Sequence, residues 1–325
     1  MRIAVLGAGA IGGCLAALLD AAGHDVVVVA RSSAPVLRER GIRLEGAFGE
    51  HLARPEVEDA LTTPPDAAIL ATKTIDSADA LSPARTALAG VPVLAVQNGL
   101  DAHGRAARIL GHDRVAAGLG TWAANALEPG VVRVTAAGET VVGGPEGERF
   151  AALLAAAMPD VRIATSIEGA QWAKLCVNAA NAVPAAVGRS MQDVAADPAL
   201  LRVTAAAMRE AALAALASGV ALERVGAVGP ETVGALAASI EEATAVPLRM
   251  AASFGDVPNL GSTQQSIRRG QPTEVDDLAG AIVDASTRLG LAAPVNAGLV
   301  ALVHEVERTG AFAPRERVAA LAPLP

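Results

Sequence analysis

Short runs of consecutive apolar residues alternate with longer mixed stretches in the first half of the chain. Ile3–Leu6 and Val26–Ala30 are two such runs, and the segment between them is long enough for a helix that ends at about Ala22, before Gly23. Continuous apolar runs of this length are typical of strands that a parallel sheet buries on both faces. The pattern therefore predicts a β-α-β unit at the start of the chain.

Further apolar runs continue this alternation. They predict one strand that ends at Lys73 and another that ends at Asn98, and both ends would lie at the carboxyl edge of the sheet, where such folds bind ligands. Between residues 118 and 144, short apolar runs are separated by turn glycines, which indicates an antiparallel extension of the sheet. The run at 161–166 is expected to be the last strand.

From Ile167 onward the apolar positions recur mainly at helical spacing. The expected fold class is α/β, with an N-terminal Rossmann dinucleotide-binding domain at 1–166 and an all-α domain for substrate binding and dimerisation at 167–325. Helical domains rich in Ala and Val can bury faces against a partner subunit, so a homodimer is compatible with the sequence, which does not fix the oligomeric state. The predicted helices cover residues 168–183, 197–218, 230–244, 273–289 and 295–308.

Composition narrows the classes of function. Of the 325 residues, 52% are hydrophobic and 18% are charged, which is typical of a globular chain long enough for two domains. A net charge of -8 and an aromatic content of 2% argue against a nucleic-acid partner. Two cysteines, Cys14 and Cys176, and five scattered histidines offer neither a disulfide framework nor metal-ligand spacing. We therefore expect no metal, no nucleic acid and no membrane contact, and a cytoplasmic location.

The opening residues MRIAVLGAGAIGGCLAALL have three interpretations: a secretory signal, a lipoprotein segment with a lipid on Cys14, or the first turn of a nucleotide-binding fold. A signal peptide has a positive first region and an unbroken apolar core, whereas Arg2 is the only early charge and four glycines interrupt the apolar run. The second apolar strand follows at the spacing of a β-α-β unit. That spacing favours the nucleotide-binding interpretation, in which Cys14 is a small packing residue.

The nucleotide-binding turn has the pattern G-x-G-x-x-G. In this pattern Gly7 permits the tight turn, Gly9 lets the backbone approach a pyrophosphate, and Gly12 lets the helix pack closely on the sheet. The pyrophosphate would lie at the helix N-terminus, where unpaired N–H groups and the helix dipole favour an anion. The expected cofactor-binding residues of the turn are Gly7, Ala8, Gly9, Ala10, Ile11 and Gly12.

The residue after the second strand indicates which dinucleotide binds. Sites that prefer NAD place an acidic residue there to hold the ribose 2′-hydroxyl, whereas this chain has Arg31 followed by two serines. An arginine suits a 2′-phosphate, so NADPH is the expected cofactor. The alternative interpretation of Arg31 is a solvated loop residue.

Polar residues interrupt two apolar helical segments of the second half. On a helix with 100° per residue, Lys174, Asn178 and Asn181 share one face, and such groups are costly to bury without partners. The alternative is an exposed polar stripe.

In the second segment, Thr273 and Asp276 form a capping pattern that places Glu274 in the first helical turn. An acidic residue there could also serve only to complement the helix dipole.

Five separated motifs together resemble the ketopantoate reductase family, the NADPH-dependent 2-dehydropantoate 2-reductases. The resemblance covers nearly the whole chain in the correct order. The motifs are GAGAIGG, ATKT with Lys73, QNGL with Asn98, WAKLCVN with Lys174 and Asn178, and SIRRGQPTEVD with Glu274.

The resemblance implies reduction of a 2-oxo acid, with 2-dehydropantoate as the leading substrate and (R)-pantoate as its product. It implies that Lys174 polarises the keto oxygen and donates the proton as hydride arrives, and that Glu274 hydrogen-bonds the substrate. These two residues are the expected catalytic pair. The implied substrate-binding residues are Asn98, Asn178 and Ser262, and the implied NADPH-binding residues are Arg31, Lys73 and Asn98 together with the glycine turn.

Two positions depart from the pattern of this family. Ala182 stands where the family has a second asparagine, and Ser266 stands where an aspartate is usual. Asn181 lies on the face of the lysine and is therefore a candidate to replace the missing asparagine. These departures leave open a different small carbonyl substrate. A non-catalytic NADP-binding sensor is a further alternative, against which Lys174 and Glu274 both count.

Overall fold

The computed structural model of the chain describes residues 1–323. The chain divides into two compact units, Met1–Ile167 and Glu168–Pro325. The first unit is a mixed α/β structure and the second is helical. The predicted fold class, a Rossmann-type α/β unit followed by an all-α unit, is confirmed.

Two sheets form the first unit. The larger has eight strands in the order β12-β11-β8-β7-β6-β1-β2-β5, and the smaller has four in the order β4-β3-β10-β9. In chain order the strands are β1 (Arg2–Leu6), β2 (Asp25–Val29), β3 (Ile42–Gly46), β4 (His51–Ala53), β5 (Glu56–Glu58), β6 (Ala67–Leu70), β7 (Val93–Ala95), β8 (Val115–Gly120), β9 (Ala123–Glu128), β10 (Val131–Ala136), β11 (Thr140–Gly143) and β12 (Val161–Ile163). The helices of this unit are α1 (Ala10–Ala21), α2 (Ala34–Arg40), α3 (Ser77–Ala84), α4 (Ala102–Leu110) and α5 (Gly147–Ala155).

Strands β7, β6, β1 and β2 are parallel neighbours at the centre of the large sheet. All residues of β1 except Arg2 are buried, because helices cover both faces of such a sheet. Strands β6 and β7 end at Leu70 and Ala95, three residues earlier than predicted in each case. Lys73 and Asn98 therefore lie in the loops beyond the carboxyl ends of these strands.

The predicted antiparallel extension of the large sheet is only partly right. Strand β11 pairs antiparallel with β8 in the large sheet, but β9 pairs with β10, and β10 pairs with β3, in the small sheet. Helix α1 packs against both sheets, which explains why glycine, alanine and leucine dominate all its faces. A Cβ at Gly13 would lie 2.9 Å from Val132 of β10, so this position has no room for a side chain.

The second unit contains ten helices within the described residues, counting α6, which begins at the last residue of the first unit. The predicted helix at 230–244 is two helices, because Ser239 ends one and caps the next by accepting a hydrogen bond from the Glu242 N–H group. The helices are α6 (Ile167–Asn178), α7 (Ala182–Val187), α8 (Met191–Ala196), α9 (Pro198–Ala217), α10 (Pro230–Ala238), α11 (Ile240–Ser253), α12 (Gly261–Arg268), α13 (Ala281–Arg288), α14 (Pro294–Thr309) and α15 (Arg315–Ala319).

The segment predicted as one helix at 273–289 starts later and is irregular. A π-helical turn at Asp276–Gly280 leads into α13. The Thr273 hydroxyl accepts a hydrogen bond from the Val275 N–H group at 3.2 Å, while the Asp276 carboxylate bonds to His304 instead of to the backbone. The predicted capping pattern is therefore half right. The Thr273 hydroxyl caps the segment, but Asp276 does not accept from the Thr273 N–H group, because His304 from another helix competes for its carboxylate.

Within residues 1–323, no helix is both long enough and apolar enough to cross a membrane. The opening segment forms β1 and most of α1, and Cys14 is fully buried in the core of the first unit. The interpretation of Cys14 as a packing residue agrees with this position.

Candidate active site

The glycine turn between β1 and α1 has little room in two places and free space in a third. A Cβ at Gly7, whose φ is +102°, would lie 2.8 Å from Thr72 Cγ2, and one at Gly12 would lie 1.9 Å from the Gly7 carbonyl oxygen. Gly9, at the N-cap of α1, has no neighbouring atom within 4 Å of its Cβ direction. The backbone at the helix N-terminus is therefore open to an anion, as binding of a pyrophosphate requires.

Three further candidate residues follow the carboxyl ends of neighbouring parallel strands. Arg31 follows β2, Lys73 follows β6 and Asn98 follows β7, so the sheet brings them to the same edge as the glycine turn. Arg31 is exposed, and its guanidinium lies 3.7 Å from the carboxylate of Asp79. Lys73 and Asn98 are half-buried. The edge thus carries two positive charges, and the charge of Arg31 lies beside an acidic side chain.

Buried polar contacts that sequence reasoning missed hold the loops at this edge. The Gln97 amide donates hydrogen bonds to the Thr72 carbonyl oxygen and to Ser77 Oγ, both at 2.9 Å. The Thr74 hydroxyl donates to the Asn98 carbonyl oxygen at 3.4 Å. Thr72 Oγ1 and Gln97 Oε1 are buried and have no hydrogen-bond partner within the described residues. Such atoms are rare in proteins, and their presence beside the glycine turn fits an edge that receives a polar ligand.

The polar residues predicted to share one helix face lie on a helical run that changes its geometry. Lys174 and Asn178 are on α6, and a 3₁₀ turn at Ala179–Asn181 joins α6 to α7. Three residues complete one 3₁₀ turn, so Asn181 follows Asn178 on the same side of the run. All three polar side chains are half-buried. The run extends to Val187, beyond the predicted end at residue 183.

Lys174 has an unusual electrostatic environment. Burial lowers the pKa of its ammonium from 10.5 to about 8, and the negative charge of Glu274 partly offsets that decrease. Glu274 is half-buried and directly precedes the helical segment that starts at Val275. Two residues a hundred positions apart in sequence are therefore electrostatically coupled within the second unit. A lysine whose pKa lies closer to neutrality gives up its proton more readily, which suits a proton donor in catalysis.

The segment that carries Ser262 is held close to Asn181. A Cβ at Gly261, which has φ +70°, would lie 2.7 Å from Asn181 Oδ1. The Gln192 side chain supports the preceding loop, since its amide donates to the carbonyl oxygens of Gly255 and Val257 and its oxygen accepts from the Asn259 N–H group. The Ser262 side chain is exposed. The contribution of Gln192 was missed because its sequence, at the start of a short helix, has no distinguishing pattern.

The two departures from the family pattern are both buried. Ala182 belongs to the apolar core of the second unit, which also contains Val275 and Leu299. The Ser266 hydroxyl donates to the Ser262 carbonyl oxygen at 3.3 Å, one turn earlier on α12. The uncharged Ser266 side chain is therefore hydrogen-bonded within its own helix, whereas an aspartate at this position would carry a negative charge.

Within residues 1–323, no group of three or more His, Cys, Asp or Glu side chains is arranged to hold a metal ion. One titratable pair of the second unit is Lys174 with Glu274.

Comparison with known proteins places the chain among the oxidoreductases that act on CH–OH groups. The family model for ketopantoate reductase PanE/ApbA matches residues 3–147, and the model for the C-terminal part of the same family matches residues 166–307. The chain therefore belongs to the ketopantoate reductase family.

Full-length relatives agree with this assignment. A 2-dehydropantoate 2-reductase of Pyrococcus horikoshii is 29% identical over 318 residues, which cover 95% of this chain and 99% of the relative. One of Halobacterium salinarum is 30% identical over 325 residues, with 95% of this chain and 100% of the relative covered. The crystal structure of a PanE/ApbA family ketopantoate reductase from Ralstonia eutropha JMP134 matches with a TM-score of 0.82 at 29% identity, covering 95% of this chain and 99% of that one.

Proposed function

We propose that this protein catalyses the NADPH-dependent reduction of a 2-oxo acid, most specifically of 2-dehydropantoate to (R)-pantoate, with Lys174 as the general acid. The observation that carries the proposal is the lowered pKa of Lys174, about 8, beside the carboxylate of Glu274. Relatives of similar length that are named for this reaction support it.

The residues at the carboxyl edge of the large sheet fit a dinucleotide. Gly9 leaves space at the N-terminus of α1 for the pyrophosphate, and Arg31 and Lys73 supply positive charge for a 2′-phosphate. Asn98 is proposed to lie near both nicotinamide and substrate. When bound, the reduced nicotinamide supplies the hydride that adds to the carbonyl carbon of the substrate.

Lys174 would supply the proton that completes the reduction. As hydride reaches the carbonyl carbon, negative charge develops on the keto oxygen, and a fixed ammonium stabilises this charge more than it stabilises the neutral ketone. The ammonium then gives one proton to that oxygen, and the neutral amine regains a proton from solvent. A pKa of about 8 leaves most Lys174 side chains protonated at neutral pH while keeping the transfer easy.

The remaining candidate residues would hold the substrate. The amides of Asn178 and Asn181 follow Lys174 along one helical run, and the Ser262 segment packs against Asn181 through Gly261. Amide and hydroxyl donors at these positions suit the carboxylate and hydroxyl groups of a small 2-oxo acid. We propose Glu274 as the acceptor for a substrate hydroxyl, in addition to its effect on the lysine.

A second candidate function is reduction of a different small carbonyl compound by the same chemistry. Ala182 in the apolar core and Ser266 in contact with its own helix both replace polar residues that are usual in the family. Both changes fall in the second unit, on the proposed substrate side. They leave the proposed cofactor residues of the first unit intact.

The direct test is consumption of NADPH by the purified protein with 2-dehydropantoate and with a panel of other 2-oxo acids. The proposal predicts the highest kcat/KM for 2-dehydropantoate. A higher value for another compound would favour the second candidate function. Tight NADPH binding without oxidation by any compound would exclude both and favour a cofactor sensor.

A further inference from the structure

The turn that carries Glu274 is held at both ends by helix α14. On one side, the Thr273 N–H group donates a hydrogen bond to Glu307 Oε1 at 2.7 Å. On the other side, Asp276 Oδ1 lies 2.9 Å from His304 Nε2. Because Glu274 stands between these two attachment points, its backbone has little freedom to move away from Lys174.

The two attachments are joined to each other through one imidazole ring. His304 Nδ1 lies 2.8 Å from Glu307 Oε2, so Glu307 uses one oxygen for the Thr273 backbone and the other for the histidine. Thr273, Asp276, His304 and Glu307 thus form a closed set of contacts around Glu274, which we call the Glu274 clamp. Ionised carboxylates only accept hydrogen bonds, so both ring nitrogens must donate for the clamp to be complete. The geometry therefore requires the imidazolium form of His304.

The local backbone explains why Glu274 needs contacts from another helix to hold its position. Glu274 precedes a π-helical turn at Asp276–Gly280, a wide and poorly stabilised form of helix that occurs often at functional sites. The residues just before it, Arg269–Gln271, are exposed and belong to no helix that continues into the turn. External contacts must therefore fix the position of the carboxylate.

We propose that His304 and Glu307 are positioning residues that hold the Glu274 carboxylate beside Lys174. The inference rests on the proposed function, in which this pair of residues acts on the substrate. Neither positioning residue needs to touch the substrate, because each acts through the backbone or side chain of a neighbour of Glu274.

The charged groups around His304 give the clamp a definite pH dependence. Asp276 approaches from the π-helical turn and Glu307 lies on its own helix, and hydrogen bonds to Glu307 first and then to Asp276 raise the pKa of His304 above 6.5 despite partial burial. Helix α7, also packed against α14, has no titratable side chain, and from α9 Glu210 binds the Val295 and Asn296 amides at the far end of α14. Helix α13 carries Asp284 and Arg288, but the groups that raise the pKa of His304 are Glu307 and Asp276. The clamp is therefore complete at pH values below 6.5 at which both carboxylates stay ionised, and it loses one donor as the pH rises through the raised pKa of His304.

The test compares two substitutions on the same helix. Glu307→Gln keeps an acceptor for the Thr273 N–H group but removes the charge that holds the imidazolium. Glu305→Gln is the matched control, since Glu305 forms an ion pair with Arg317 at 2.7 and 2.9 Å and takes no part in the clamp. His304→Ala is a third variant that removes the ring altogether.

The main measurement is the pKa of Lys174, followed by NMR of isotope-labelled lysine side chains during a pH titration. Lys73 and Lys174 are the chain's only lysines, so Lys73 is an internal reference. Release of the Glu274 carboxylate should lower the pKa of Lys174 in Glu307→Gln and in His304→Ala, but not in Glu305→Gln. We expect kcat/KM to fall in the first two variants by up to about 100-fold, which is the cost of displacing a reacting group by about 1 Å.

An unchanged pKa of Lys174 in a folded Glu307→Gln protein would overturn the proposal, as would an equal shift in the Glu305→Gln control. Should His304→Ala fail to fold, the comparison between the two glutamine variants still decides. The NMR titration needs no turnover, so it can succeed or fail independently of the proposed function. Absence of any NADPH oxidation by the unmodified protein would count against the reaction and not against the clamp.

Discussion

The carboxylate of Glu274 raises the pKa of the Lys174 ammonium, and burial lowers the same pKa by more, so that it reaches about 8. The two effects have opposite signs and different sources. Burial penalises the charged form wherever the surroundings exclude water, whereas the carboxylate favours the charged form only while it stays close. The pKa of the lysine therefore reports the position of the glutamate.

Removing the charge of Glu274 should move the pH dependence of the reaction. In Glu274→Gln, burial acts without its partial offset, and the pKa of Lys174 falls below 8. Since the proton donor is present only below this pKa, the alkaline decline of kcat/KM should shift to lower pH. A pH profile of kcat/KM checks the shift. A decline that stays in place would show that Lys174 does not govern it.

The position of the Arg31 guanidinium, 3.7 Å from the Asp79 carboxylate, predicts how both residues affect the binding of NADPH and NADH. Arg31→Asp should weaken NADPH far more than NADH, because only NADPH has a 2′-phosphate for the arginine to bind. Asp79→Asn should tighten NADPH about twofold to fivefold, since both side chains are exposed and such pairs are worth less than about 1 kcal/mol. Titrations of both cofactors by fluorescence or calorimetry measure these effects. Equal losses of NADPH and NADH affinity in Arg31→Asp would refute the assignment.

Two glycines of the first turn should respond differently to alanine. A Cβ at Gly12 would clash with the Gly7 carbonyl oxygen at 1.9 Å, so Gly12→Ala should lower the free energy of unfolding by roughly 1–3 kcal/mol and weaken the cofactor. Gly9 has free space, so Gly9→Ala should fold as well as the unmodified protein. Its methyl group would occupy the space proposed for the pyrophosphate, and NADPH affinity alone should drop. Chemical denaturation measures the stability of each variant, and cofactor titration measures its affinity for NADPH. A destabilised Gly9→Ala protein would contradict the prediction.

Local patterns in the sequence were enough for the first β-α-β unit and for the helical run with Lys174 and Asn178. Buried parallel strands and a helix with an interrupted apolar face have periodicities that a short window contains. The sheet to which β9 and β10 belong could not be predicted in this way, because the pairing of β10 with β3 joins residues about 90 positions apart. The strand character was visible, but the sheet to which the strands belong depends on distant partners.

The same reason explains the error at Asp276. A capping pattern assumes that Asp276 has only its own backbone to bind, whereas His304, 28 residues later, takes that carboxylate. Likewise, the 3₁₀ turn that aligns Asn181 with Asn178, and the Gln192 side chain that supports the Ser262 segment, follow from packing within the whole helical unit. Sequence reasoning reached the candidate residues but not the contacts that hold them.

Asn181 should prove to be a substrate residue that replaces the asparagine missing at Ala182. Asn181→Ala should raise the KM for the 2-oxo acid about tenfold while leaving NADPH affinity unchanged, because a lost hydrogen bond to a charged group costs roughly 1.5–3 kcal/mol. Gln265→Ala is the matched control, because it also removes a half-buried side-chain amide, on α12, to which we assign no role in the site. Steady-state kinetics provide the comparison, and an unaltered KM in Asn181→Ala would remove the residue from the proposed site.

Substitution of Lys174 tests the proposed reaction most directly. In Lys174→Ala, kcat with 2-dehydropantoate should fall by at least about 100-fold to 1000-fold, because the proton donor and the charge that stabilises the developing oxyanion are both lost. The affinity for NADPH should remain nearly unchanged, since the proposed cofactor residues are on the first unit. Measurement of kcat and of the Kd for NADPH on the same variant tests both expectations. A Lys174→Ala protein that retains most of its kcat would contradict the assignment of Lys174 as the general acid.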